Sequence, residues 1–430
     1  MTFQPVLALA SVRHSYWFWP SIMVLAALVA GVVIPTVDAA LGTTWWDETV
    51  PLPPARPESA RATLTTLASA LIGVAGVAFS VTIVAVSFAS SNFGPRLIGN
   101  FMGDRINQVV LGVFVATFVY CMMVLRAVES GGDDPVFVPQ IALLTANVLA
   151  LGCVGALIVF IHHVPESINV TNLVSSIGER LTQEIEDIHA GEHEGPDPLV
   201  APMPPNARTV TAHVTARSAG HIQFVDLDAL RERARKIGAR ITVLRRPGDF
   251  VVRGQRLLAV EGANPVEKGE LTALRRTISL GRNRTELQDA SFLSDQLVEI
   301  VGRALSPGIN DPHTAMLCLD WLRSALTVFA EHAPRPAPAN DAAVRFARIT
   351  FEDLLSRSFS RMRPYVAADR TVTLHAIAVL ADIARAASTT TRADAAISEM
   401  RDLAAAATHT QSDPIVHDEI TKALAAATRG

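Results

Sequence analysis

Lysine is nearly missing from this sequence of 430 residues. It occurs only at Lys236, Lys268 and Lys422, and the rest of the 37 basic residues are arginine. Against 41 acidic residues they leave a formal net charge of -4, too little for a general attraction to nucleic acid or anionic lipid. No nucleic-acid partner is expected. Cysteine is as scarce, with Cys121 and Cys153 inside apolar stretches and Cys318 alone in a polar region. That excludes a disulfide framework, and no spacing suggests zinc. No nucleophile–base pair, phosphate loop or metal cluster stands out either, so neither an enzyme nor a cofactor is expected.

Long uncharged runs are absent from part of the chain only. Beyond Glu166 no stretch without Asp, Glu, Lys or Arg exceeds 12 residues, whereas Ser15–Val37, Ala62–Pro95, Ile106–Leu125 and Pro135–Pro165 are wholly uncharged. About 20 apolar residues in a helix span a bilayer core, so residues 1–165 read as a transmembrane domain embedded in lipid. Its spans fall at about 15–37, 62–95, 106–125 and 138–164. No A-x-A-like site closes the first run, which reads as a retained helix rather than a signal peptide. Tyr16, Trp17 and Trp19 before it and Trp45 and Trp46 after it match interfacial aromatic belts. The positive-inside rule ties, with Arg13, Arg96 and Arg105 on one side and Arg56, Arg61 and Arg126 on the other. An even span count and the unpaired Cys318 favour both termini in the cytoplasm of a cell with an inner (plasma) membrane.

The second span is longer than a bilayer requires and must tilt or project. Ser69, Gly73, Gly76, Ser80, Ser87 and Ser91 recur on one of its faces. Two readings fit: a helix-packing seam, or the lining of a pore in a homo-oligomer. Gly94 and Pro95 end the span, and Arg96 marks the interface. No ionisable residue lies at mid-depth in any span, which argues against a proton-coupled pump. His162 and His163 close the fourth span. Adjacent helical residues point about 100° apart, so interfacial capping competes with a gate or metal ligand.

From 166 to 190 an amphipathic connector carries Val170, Val174, Ile177, Leu181, Ile185 and Ile188 at nearly a 3.5-residue repeat. This stripe suits either a bundle around a symmetry axis or packing on its own domain. A Pro-rich linker, 191–208, follows. It overlaps His189-Ala-Gly-Glu192-His193, a formal H-x-x-E-H match that Gly191 and the following prolines deprive of a rigid helix.

Residues 209–262 read as short strands around a charged helix, Asp226 to Ile237. The run Gly248-Asp249, Val251, Gly254, Leu257, Leu258 and Val260 resembles the signature of biotinyl/lipoyl-like barrels, without the lysine that carries the cofactor. A small structural barrel is therefore expected. Residues 263–430 read as a helical domain, with a capping box at Thr285 and Gln288 and N-cap-plus-proline pairs at Asp311-Pro312 and Asp413-Pro414. Asn310 and Asp311, with His313, mark an interhelical turn or a binding site.

Together Phe79-Ser80-Val81-Thr82, Ala89 to Arg96, Asn107-Gln108, Phe118-Val119-Tyr120, Phe160-Ile161-His162-His163 and Leu305 to Pro312 resemble the bacterial membrane proteins catalogued as domain of unknown function 2254. The resemblance implies four spans with a cytoplasmic region and brings no assigned activity or functional residues. The expected architecture is mixed: a four-helix transmembrane bundle, then an α+β region with a small barrel, then a C-terminal helical bundle. The expected function is an oligomeric channel or pore with a cytoplasmic regulatory domain. The alternative is a membrane-anchored scaffold or sensor whose cytoplasmic domain binds a partner.

Overall fold

Four helices long and apolar enough to cross a membrane begin the fold: α1 (Phe18–Leu41), α2 (Pro57–Phe93), α3 (Arg105–Ala127) and α4 (Gln140–Ser167). They belong to a computed structural model that describes residues 17–41, 46, 53–93, 104–128, 137–190, 210–262, 264–332, 343–346 and 349–428. The chain divides into two compact units, Met1–Asn172 and Leu173–Gly430.

In the first unit α3 is the central helix. Half of its most apolar stretch is buried, against 22% for α1 and α2 and 17% for α4, and it packs on all three. Close approach of α1 and α3 depends on two glycines. A Cβ built on Gly31 would stand 2.6 Å from Met123 Cβ, and one on Gly112 would stand 3.1 Å from Pro20 Cα. Small residues permit such contact where lipid outside is as apolar as the helix inside. Helix α2 begins at Pro57, ahead of the uncharged run, because proline fits the first helical turn and Glu58 complements its dipole. At 37 residues it is about 55 Å long, well beyond a hydrocarbon core of about 30 Å.

Polar side chains tie the helix ends. Pro139 cannot cap α4 with its side chain, and Asp38 of α1 does so instead, accepting from the Ile141 and Ala142 N–H groups at 2.7 and 3.2 Å. Arg61 donates to the Val128 carbonyl at the end of α3, and Gln140 exchanges two hydrogen bonds with the Ala55 backbone. Tyr120 donates from α3 to the Ala142 carbonyl.

The second unit contains α5 (Val170–Ala190) from Leu173 onward, then β1 (Val210–Thr215), β2 (Gly220–Val225), α6 (Leu227–Ile237), β3 (Ala239–Val243), β4 (Phe250–Val251) and β5 (Arg256–Gly262). After α7 (Lys268–Arg275) and β6 (Ile278–Gly281) come α8 (Ala290–Ala304), α9 (Pro312–Glu331), β7 (Val344–Phe346), α10 (Phe351–Val366), α11 (Arg370–Ala386), α12 (Thr390–Thr410) and α13 (Pro414–Ala427).

The strands do not form the expected barrel. They make two open sheets, one ordered β1-β5-β3-β7 and the other β4-β2-β6. Strand β4, two residues long between β3 and β5, pairs with β2 instead of either, and β7 joins β3 in parallel, so no closing pair exists among the described strands. The barrel-like signature reflects local demands only: Gly248 and Gly254 take φ +89° and +86° at turns, as glycine does in any tight hairpin. Nor do the apolar residues of β5 fill one side. Leu257, Leu258 and Val260 are all buried, and both sheets share one core with Leu230 of α6 and Leu274 of α7.

Asp311 and Asp413 cap α9 and α13, each followed by proline. The Thr285–Gln288 capping box does not form. Gln288 sits at φ 57° and its amide bridges the Val225 N–H and carbonyl, while Asp289 caps α8.

Candidate functional site

Within the second unit a cavity of about 620 Å³ lies between α5, the β3–β4 turn, the segment before α8 and the start of α10. Its deep wall is a charged network. Asp289 caps α8 by accepting from the Phe292 N–H at 3.2 Å and from the Ser291 hydroxyl at 2.6 Å, and its Oδ2 takes two bonds from Arg284 at 3.0 and 2.7 Å. Arg284 also donates to Asp295 at 2.6 Å. Asp295 receives a bidentate pair from Arg357 at 3.0 and 2.7 Å and a further bond from Arg361 at 2.6 Å. With only 3% of its side chain exposed, Asp295 depends on these partners. Burial pushes its carboxyl up, but Arg357 and Arg284 outweigh burial and hold it below the usual carboxylate range. Hydrogen bonding to Asp295 raises Arg357 in turn.

The near wall is the turn Arg246-Pro247-Gly248-Asp249. A Cβ on Gly248 would overlap the Asp289 carboxylate, so this position requires glycine for space as well as for its positive φ. The Gly248 N–H donates to the Ile222 carbonyl, His221 Nδ1 donates to the Gly248 carbonyl, and the Asp249 carboxylate accepts from the Arg246 N–H at 2.9 Å. Arg246 also reaches Asp353 of α10 at 2.6 Å. Phe250, 56% exposed, stands edge-on to His221, and Phe346, Leu227, Ile188 and Ile349 add apolar lining.

The residues singled out by sequence lie elsewhere. Ser69, Gly73, Gly76, Ser80, Ser87 and Ser91 all face outward from the first unit, and nothing lies within 4 Å of a Cβ built on Gly73 or Gly76. The inner face of α2 is Leu64, Ala68, Leu71, Ala75 and Ala78. Ser80 and Ser91 donate back to the Gly76 and Ser87 carbonyls of their own helix. His162 and His163 separate as helical geometry demands: His163 pairs with Asp104, the N-cap of α3, at 2.5 Å, while His162 lies 3.3 Å from Glu166. Asn310 takes φ 50°, and Asp311 accepts from the Thr314 N–H and hydroxyl, which is turn and cap chemistry. Arg96 lies outside the described residues, as do the linker 191–208 and the second histidine of the H-x-x-E-H match. On the connector, Val174, Ile177, Leu181 and Ile185 are fully buried, and Gly178 of the same helix lies against Trp321. The stripe therefore packs on its own unit.

A family model described as predicted membrane protein, domain of unknown function 2254, matches residues 13–382. The chain belongs to this family. The matched range takes in all four spans and every residue around the cavity, and it ends within α11. Uncharacterized proteins of Mycobacterium bovis and Mycobacterium tuberculosis are each 30% identical over 325 residues, which is 75% of this chain. The chain spans 61% of the length of these relatives. No solved structure gives a significant match.

Sequence reading missed the cavity because its parts are scattered. Arg284 and Asp295 are 11 residues apart, Arg357 lies 62 from Asp295, and Asp353 lies 107 from Arg246. The one local clue was Asp295 itself, a charge between Leu293 and Leu297 on a buried helix face.

Proposed function

We propose that this family member is a membrane-anchored sensor or scaffold, working by binding rather than catalysis, whose second unit takes a ligand in the cavity between the β3–β4 turn and α8. The observation that carries this reading is the cavity. Its volume of about 620 Å³ falls in the range usual for small-molecule sites, about 300–1,000 Å³, and it combines apolar lining with oriented polar groups. We place it on the cytoplasmic side of an inner membrane, with both termini on that side. The test is a thermal-shift screen of the full chain in nanodiscs against cationic, anionic and neutral metabolites. At a hundredfold excess over its Kd a ligand stabilises by about 2.7 kcal/mol, and Leu227→Trp, which fills the cavity, abolishes the shift. If wild type and Leu227→Trp respond alike to every compound, the reading is wrong.

A second reading, a homo-oligomer with the outer face of α2 around a pore, draws on the outward position of Gly73 and Gly76. Planar-bilayer recording with Ser80→Leu and Ser87→Leu tests it. Conductance unchanged in both variants counts against this lining.

A further inference from the structure

The cavity is unevenly charged. Its lining holds the carboxylates of Glu184, Asp187, Asp249, Asp289 and Asp353 but the guanidinium groups of only Arg246, Arg284 and Arg357. Each arginine is already committed within the chain: Arg246 to Asp353, Arg284 to Asp289 and Asp295, and Arg357 to Asp295. An anion entering the cavity would have to pull an arginine away from a carboxylate and would meet the remaining acids. The opposite holds for a cation. Asp187 accepts from the Gln183 amide and Asp249 from the Arg246 backbone N–H, both neutral donors, and no cation forms an ion pair with either among the described residues. The charge of Asp249 is felt by Arg357, whose first partner is Asp295.

A second observation is independent of charge. Phe250 is 56% exposed beside these carboxylates, held edge-on to His221 with ring centroids 5.1 Å apart, and Phe346 lies in the same lining. An aromatic face next to carboxylates is the environment that attracts an alkylammonium group, through the ring's negative face and the acids together. The turn that presents Phe250 is fixed by Gly248, which has no room for a side chain against Asp289.

We propose that the cavity binds an organic ammonium cation carrying a short apolar chain, with Asp187 and Asp249 as its charge partners and Phe250 against its alkyl or ammonium face. This rests on the binding role proposed above and names the ligand class for that same cavity.

The experiment compares n-butylammonium, butyrate and butanol, one chain with three charges, by calorimetric titration of the full protein in phosphatidylcholine nanodiscs, with empty nanodiscs as the blank. Butylammonium should bind most tightly of the three, and added salt should weaken it. Asp249→Asn and Asp187→Asn should each weaken it about tenfold. Both changes keep an oxygen that accepts the existing hydrogen bond, so the fold is retained, which an unshifted melting midpoint without ligand checks. Phe250→Leu should cost about threefold. Preference for butyrate, equal binding of all three, or indifference to both asparagine variants overturns the cation assignment while leaving a binding site in place. No binding of any probe overturns it too, and the Leu227→Trp screen then decides alone whether the cavity binds anything.

Discussion

The two units hold their helices together with opposite materials. In the membrane unit α1 meets α3 at single glycines, Gly31 and Gly112, and polar side chains such as Asp38, Arg61 and Gln140 are kept at helix ends. In the second unit α8 is tied to α10 by a carboxylate that is almost wholly buried, Asp295, with arginines on three sides. The difference lies in what each set of helix faces has to meet. Lipid gives apolar side chains no reason to prefer the inside, so fit decides which faces meet. The second unit buries an apolar core of its own, with Leu297 of α8 and Leu354 of α10 in it, and its buried charge fixes how those two helices are placed.

The sharpest way to break this contrast is Asp295→Ala. It removes the carboxylate shared by Arg284, Arg357 and Arg361, of which Arg284 keeps Asp289, and should cost about 3 kcal/mol, seen as hydrogen exchange accelerating in α8 and α10 while α1 and α3 stay protected. An equal loss of protection in both units would show that they are not separate in stability. Next in size is Gly31→Leu. Its new side chain meets Met123 Cβ rather than a flexible tip, so about 1–3 kcal/mol of overpacking strain is expected in the membrane unit, with α8 unaffected. A monodisperse variant of wild-type stability would mean that α1 can move aside.

A smaller effect comes from acid. The Asp295 carboxyl is held below its ordinary value, so the stability it contributes is present above the unfolded value near 3.8 and is lost as pH falls through the lower, folded one. Protection of α8 should therefore decline below about pH 4 in the wild type. Asp295→Asn, already weaker at neutral pH, should lack that component, and a parallel decline in both proteins would assign it to other carboxylates.

What could be read in advance was what depends on neighbouring residues. The spans follow from uncharged runs, and α6 from its own caps, with Asp226 accepting from the Ala229 N–H and Gly238 in the left-handed region. Asp311-Pro312 and Asp413-Pro414 mark helix starts for the same reason. Strands β6 and β7, four and three residues long within helical surroundings, carry too little pattern to detect, and β7 exists only because β3 offers it an edge. The cavity network is less legible still, since Arg284, Asp295 and Arg357 look like ordinary surface charges until folding brings them together. Periodicity found the Gly and Ser face of α2 because it repeats. It overlooked Gly31 and Gly112 because each acts alone.

That last contrast yields the smallest expected effect and the most discriminating one. Gly73→Leu and Gly76→Leu add side chains where nothing lies within 4 Å, so within one chain they should leave the fold intact and, through better helix propensity, stabilise α2 by up to about 1 kcal/mol each. Gly31→Leu is chemically the same change and should do the reverse. If the Gly and Ser face is in contact with other copies of the chain, however, the two outer substitutions should shift the mass measured by light scattering in detergent toward the monomer while α2 keeps its helicity. An unchanged mass together with unchanged helicity would assign that face to lipid, and the outer glycines would then differ from Gly31 and Gly112 in having no helix to meet at all.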